Sequence, residues 1–262
     1  MYNCIYGPFL SRRLGLSLGI DLLVQNEYKI CTFNCRYCEL GITKPIGLAS
    51  INKRMKLEDD FIENLKNQLS RILEIETSLD SITIGYFGEP TLISNLRKIL
   101  IEIKKIRNQS KLKTPISIFT NSSTILDNKV REALVCADRV IAKLDAGEQD
   151  TFIKINRPHY TVPKISEIIY GLREFKIEHP NNELIIQTML INGDSNNIST
   201  ENINRLAEAY KIIIPDSVQL YSISRPPAET SVRRISIDNL IKIKIKMKKL
   251  LQNKKIPIIN VY

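Results

Sequence analysis

Ser81-Ile82-Thr83-Ile84-Gly85-Tyr86-Phe87 is a short apolar run rich in β-branched and aromatic residues, and Gly88-Glu89-Pro90 follows it directly. It is too short for a helix and reads as a strand that ends in a turn. Ahead of it, Leu57, Phe61, Leu65, Leu69, Ile72 and Leu73 recur at helical spacing over 56–75, so this part of the chain reads as helix, then strand. The same alternation extends outward on both sides. Strands are expected over 17–23, 115–120, 139–144, 184–190 and 217–223. Further helices are expected after Ser94 as cap, carrying Leu96, Ile99, Leu100, Ile103 and Ile106, and over 127–135, 164–176, 200–211 and 237–251. These make about six strand-helix units, fewer than a closed eight-stranded barrel needs. The expectation is an α/β fold, a partial (β/α)6 barrel with an open parallel sheet. One domain over 1–262 is expected, with its core at about 17–223, a short N-terminal extension, and a C-terminal helix followed by the apolar tail 256–262.

No apolar run approaches the roughly 18 residues that a membrane span requires. The amino terminus also lacks a basic segment followed by a long apolar stretch, so a cytoplasmic protein without membrane association is expected. Of the five cysteines, three crowd into residues 31–38. In a reducing compartment that pattern favours metal binding over disulfides. The formal net charge of +10 suits a polyanionic partner such as RNA, although a Lys-, Ile- and Asn-rich composition produces the same balance with no such partner.

In parallel α/β folds the reacting groups follow the carboxyl ends of strands. After the first expected strand comes Lys29-Ile30-Cys31-Thr32-Phe33-Asn34-Cys35-Arg36-Tyr37-Cys38-Glu39-Leu40-Gly41. Three thiolates on one short loop can hold one metal centre. An iron-sulfur cubane that only carries electrons wants four thiolates, so three leave one iron open for chemistry. Two other readings stand beside this one. A structural zinc site needs a fourth ligand, and the chain offers no second CxxC pair and only His159 and His179. An electron carrier would take Cys4 as the fourth thiolate. Cys136 sits in an apolar helical context and reads as a core residue.

The spacing of three residues and then two resembles the signature of the radical S-adenosylmethionine (radical SAM) superfamily. Tyr6-Gly7-Pro8, Ser11-Arg12-Arg13-Leu14-Gly15 and Ser17-Leu18-Gly19 resemble a group of these enzymes related to the tRNA wyosine-base synthases. The resemblance implies a [4Fe-4S] cluster on Cys31, Cys35 and Cys38, with S-adenosylmethionine on the open iron. It also implies a one-electron reductant such as ferredoxin or flavodoxin. In such enzymes the aromatic residue before the third cysteine, here Tyr37, lies near the adenine. Gly88, Glu89 and Pro90 match the motif that holds the amino group of the methionine part, while as bare residues they read as a turn. Asn121, Asp145 and Gln187 are the remaining cofactor candidates, and a helix cap is the other reading of Asn121. The chain departs from the wyosine synthases in offering only Cys4 where a second cluster needs three upstream cysteines.

The wyosine synthases use lysine chemistry on pyruvate, so the resemblance makes Lys143, at a strand end, a candidate catalytic residue for a Schiff base, with binding of an anion or solvent as its other reading. Arg12, Arg13, Tyr221 and Arg225 are the substrate candidates, because arginine forks bind phosphate with two bonds at once. For the arginines at 12 and 13, bracing the cofactor loop is the alternative. Strand alternation leaves the direction of Gln187 and Tyr221 open. The expected activity is hydrogen abstraction from a substrate by a 5'-deoxyadenosyl radical, with tRNA or a nucleotide as candidate substrate. Modification of a peptide or small metabolite, or activation of a glycyl-radical enzyme, is the alternative.

Overall fold

The computed structural model describes residues 3–48, 54–76, 78–227, 229–251 and 257–262. The chain divides into two compact units. The first comprises residues 1–30, 49–120 and 127–140, and the second residues 31–48, 121–126 and 141–262.

In the first unit, β1 (Ile5–Ser11) and β2 (Gly15–Ile20) form an antiparallel hairpin, with Ile5 opposite Ile20. Helix α1 (Asp59–Ile75) follows, then β3 (Ser81–Ile84), α2 (Leu96–Gln109), β4 (Ile116–Thr120) and α3 (Asn128–Leu134). Strand β2 runs parallel to β3, and β3 parallel to β4. Alternation gives this sheet two different faces. Leu18, Ile82, Ile84, Ile116 and Ile118 are fully buried apolar residues, while Ser17, Ser81, Thr83 and Ser117 form a buried ladder of hydroxyls. Ser17 Oγ lies 2.7 Å from Thr83 Oγ1, and Ser81 Oγ donates to Ser117 Oγ at 2.9 Å. Small hydroxyls keep that face satisfied without bulk. Helix α1 buries Phe61, Ile62, Leu65, Leu69 and Leu73, each contributing roughly 2 kcal/mol of apolar burial. Asp59 and Asp60 in its first turn favour the positive end of its dipole.

The second unit takes in the end of β5 (Arg139–Lys143), then α4 (Gln149–Asn156), α5 (Ile165–Glu178), β6 (Glu183–Met189), β7 (Asn192–Gly193), α6 (Thr200–Ile213), β8 (Ser217–Tyr221), β9 (Val232–Arg233), α7 (Ile237–Leu250) and β10 (Ile258–Val261). Its sheet order is β5-β6-β8-β10. Strands β6 and β8 pair in parallel, as do β8 and β10, and β7 and β9 form a separate antiparallel ribbon. Ser199 and Ser236 cap α6 and α7 by accepting from the amides of Asn202 and Asn239.

The described residues are therefore α/β with mostly parallel sheet strands and no closed barrel among them, as the alternation predicts, and all six expected strands are present. Four features differ from the sequence expectation. The N-terminal extension is a sheet strand, β1, and the C-terminal tail supplies another, β10, while Ile256 of that tail lies outside the described residues. Ser94 does not cap α2: its hydroxyl donates to Met55 O, and Asn95, at the cap position, spends its side chain on both backbone groups of Leu57. Helix α4 is additional, because its eight residues bury too few apolar side chains to show a clear period.

Candidate functional site

The cysteine loop hangs from the carboxyl end of α4. Asn34 N donates to Asn156 O at 3.1 Å and Arg36 N to Ile155 O at 3.0 Å. The last carbonyls of a helix have no partner within it, and here loop amides supply them. Within the loop, Cys38 N donates to Cys35 O and Ile46 N to Cys31 O. Arg157, in the left-handed region with φ 44°, ends α4, and its side chain pairs with Glu229. Glu229 also accepts from Arg36 Nη1 at 2.8 Å. The segment before β9 is thereby tied to the turn between Cys35 and Cys38.

The three thiols are half-buried, and N–H groups approach two of them. Phe33 N and Asn121 Nδ2 each lie 3.4 Å from Cys31 Sγ, and Asn156 Nδ2 lies 3.4 Å from Cys35 Sγ. Burial pushes the Cys35 thiol up to about 11, helped by Asp145 and Cys38, while hydrogen bonds from Tyr37 and Asn156 pull the other way. Among the described residues, no group of three or more His, Cys, Asp or Glu side chains is gathered as a ready metal site. What fits an iron-sulfur centre is the donor set: three thiols on one loop, with amide donors directed at sulfur as such centres use.

Asp145 organises the neighbouring side chains. It is 2% exposed, and its Oδ2 accepts from the Tyr37 hydroxyl and from Asn156 Nδ2 at 2.8 Å. Its Oδ1 accepts from Met189 N at 2.8 Å and pairs with Lys143 Nζ at 3.3 Å. Lys143 Nζ donates to Tyr221 OH at 2.7 Å and stands over the rings of Tyr37 and Tyr221. Burial alone would lower the Lys143 pKa, but Asp145 and Tyr221 outweigh it and hold the ammonium above the usual lysine range. Tyr37 is pushed well up by burial and by Asp145. Asn121, Lys143, Asp145 and Asn156 share the wall of a small recess with Phe33 and Phe152. Asn156 Oδ1 is buried there without a hydrogen-bond partner among the described residues.

The structure thus brings Cys31, Cys35, Tyr37, Asn121, Lys143, Asp145 and Tyr221 into one polar cluster. Asn121 Oδ1 also accepts from Ser123 N, which closes a turn; Asn121 caps no helix, since α3 begins at Asn128 with Asp127 as its cap. Gln187 stands apart from the recess and donates to Gln219 Oε1 at 2.8 Å across β6 and β8. Arg225 forms an exposed pair with Glu39 at 2.9 Å. Arg12 and Arg13 occupy the turn of the β1–β2 hairpin, at the amino end of β2.

In the first unit, Glu89 is 2% exposed. It caps a short turn at Pro90–Leu92, and its Oε1 accepts from Thr91 N, Thr91 Oγ1 and Thr120 Oγ1. Gly88, with φ +144°, bridges to Ile30, and an added Cβ would lie 2.0 Å from Ile30 O. Only glycine permits that approach. Asn156 and Glu229 are site residues that sequence reasoning misses. Each acts through a partner distant in the chain, and the one local signal is the Asn156-Arg157-Pro158 break that ends α4.

The family model described as "Radical SAM superfamily" matches residues 27–200. The chain belongs to the radical SAM superfamily. As a radical SAM protein it is an enzyme, and the family implies S-adenosylmethionine and an iron-sulfur cluster. It is 33% identical over 238 residues to a UPF0026 protein of Helicobacter pylori, covering 91% of this chain and 71% of that protein. It is 32% identical over 241 residues to a Brachyspira hyodysenteriae protein named GTPase Obg, covering 92% of this chain but only 33% of that protein. Among solved structures it resembles TYW1 with a lysine-pyruvate adduct bound, with TM-score 0.59, 16% identity, and coverage of 89% of this chain and 73% of the other. That likeness speaks for the fold. Among the described residues no helix is long and apolar enough to cross a membrane.

Proposed function

We propose that this radical SAM enzyme holds a [4Fe-4S] cluster on Cys31, Cys35 and Cys38, and S-adenosylmethionine beside it, and abstracts a hydrogen atom from a nucleotide-like substrate. The observation that carries the reading is the three-cysteine loop with amide donors at Cys31 and Cys35 Sγ. Bound there, the reduced cluster and its cofactor supply one-electron cleavage of a sulfonium and a 5'-deoxyadenosyl radical, which calls for a one-electron donor of the ferredoxin or flavodoxin kind. The chain's own residues bind, orient and shield. Tyr37, fixed by Asp145, offers an immobile ring for the adenine. Gly88, Glu89 and Pro90 are assigned to the methionine amino group, and Glu89 accepts hydrogen bonds as that task requires. Lys143, held as an ammonium, is suited to bind a carboxylate or phosphate. Phe33 and Phe152 keep water from the recess, which a reactive radical demands.

RNA as substrate rests on the +10 charge and on Arg225, which leans on Glu39 next to Cys38 and is proposed as a phosphate contact. Arg12 and Arg13 carry less of this reading, since reacting groups in such sheets follow the carboxyl ends of strands. The test is anaerobic reconstitution with iron and sulfide, reduction with dithionite, and assay of 5'-deoxyadenosine in wild type and Cys35→Ala. Product in wild type alone supports the reading, and labelled RNA then tests the substrate. A reducible cluster that never cleaves the cofactor, even with cell extract added, overturns it.

A further inference from the structure

Asn156 closes α4 with its side chain turned away from solvent, at 2% exposure. Its Nδ2 donates to Asp145 Oδ2 at 2.8 Å and stands 3.4 Å from Cys35 Sγ and 3.3 Å from Tyr37 OH. A carboxylate only accepts, so Asp145 fixes which end of the amide faces the cysteine. Asp145 is itself held by Tyr37, Met189 N and Lys143, which leaves the amide little freedom to rotate. Donors to cluster sulfur spread the negative charge of the thiolate, and this favours the reduced, more negative state of the centre. Asn121 Nδ2 makes the same 3.4 Å approach to Cys31 Sγ.

We propose that Asn156 is a positioning residue that raises the reduction potential of the iron-sulfur centre through Cys35, with Asp145 fixing its orientation. The inference rests on the reading that Cys31, Cys35 and Cys38 hold such a centre, and iron and sulfide analysis of the reconstituted wild type tests that reading first. Wild type that takes up no centre fails that reading and removes the inference with it. With a centre present, potentiometric titration followed by EPR, without S-adenosylmethionine, compares wild type, Asn156→Leu and Asn156→Gln. Asn156→Leu titrates at a more negative potential than wild type, and Asn156→Gln, which keeps an amide donor, falls between them. An unchanged midpoint in Asn156→Leu at wild-type iron content overturns the proposal. Pulsed EPR of the reduced protein, grown with asparagine labelled at its side-chain nitrogen, is run on Asn121→Gln, which lacks the labelled amide beside Cys31. It shows coupling to the remaining labelled amide beside Cys35, and the absence of that coupling also overturns the proposal.

Discussion

Lys143 Nζ donates to the Tyr221 hydroxyl at 2.7 Å while standing 3.3 Å from Asp145 Oδ1. An amine that attacks a carbonyl must first lose its proton, and here burial, which would help that loss, is outweighed by Asp145 and Tyr221. Incubation with a 2-oxo acid followed by borohydride should therefore leave Lys143 unmodified at neutral pH, as read by mass spectrometry of its peptide. A trapped adduct would mean the ammonium is not held. Because the folded pKa is raised, the stabilisation from this contact is fully present below the unfolded value of about 10.4 and is lost only as pH rises through the higher folded value. The stability difference between wild type and Lys143→Met should stay level through the neutral range and shrink only in strong alkali, which denaturant titration at a series of pH values checks.

Asp145→Asn leaves the part-buried Lys143 ammonium without its counter-charge, at a cost of roughly 2–3 kcal/mol, read as a lowered urea midpoint. Asp145 also raises the Cys35 pKa, so the pH at which Cys35 reacts with a thiol reagent should fall in this variant. A loss below about 1 kcal/mol, the level of an exposed pair, would show that Lys143 finds water or another partner.

How far the sequence announced this site depends on the distance over which each contact is made. The six central strands and every helix except α4 are legible because burial imposes period 2 or 3.6 on the residues themselves. The cysteine loop was legible because all three ligands lie within residues 31–38. The family resemblance marks Asp145 as a cofactor candidate, but nothing local shows that it joins Tyr37, Lys143, Asn156 and Met189. Asn156 and Glu229 lie 121 and 193 residues from Cys35 and Arg36 respectively, and Glu229 sits in a loop with no periodicity. Single-sequence patterns carry no signal for such pairs.

Glu229 draws Arg36 and Arg157 to one carboxylate. Glu229→Ala leaves both guanidinium groups facing each other without it, which should lower stability by about 1–3 kcal/mol. The larger effect should fall on the cysteine loop: bound iron should pass to a chelator faster than in wild type, with Glu229→Asp in between. Equal rates in all three would mean the backbone bonds from α4 hold the loop alone.

Gly88→Ala forces a Cβ to within 2.0 Å of Ile30 O at a φ of +144°. The Ile30–Gly88 bridge and the Glu89 N to Ile30 O bond of 2.8 Å must then give way, at a cost on the order of 3 kcal/mol or more. Ile30 precedes Cys31 in the chain, so iron uptake should fall together with the thermal midpoint. A variant of wild-type stability would show that this segment relaxes without strain.

Cys4 is the thiolate that a four-ligand, electron-carrying centre would need as its fourth ligand. Its side chain is fully buried in the first unit, with Sγ 3.8 Å from Gln68 Oε1, and burial pushes its thiol up to about 11. A group in that state acts as a small core residue rather than a waiting ligand. Cys4→Ala should cost about 1 kcal/mol through the lost packing and leave the iron and sulfide content of the reconstituted protein unchanged, whereas Cys31→Ala, Cys35→Ala and Cys38→Ala should each abolish it. If Cys4→Ala loses the cluster or moves its potential, the fourth iron is capped by thiolate, no position remains open for the cofactor, and electron transfer becomes the function to test.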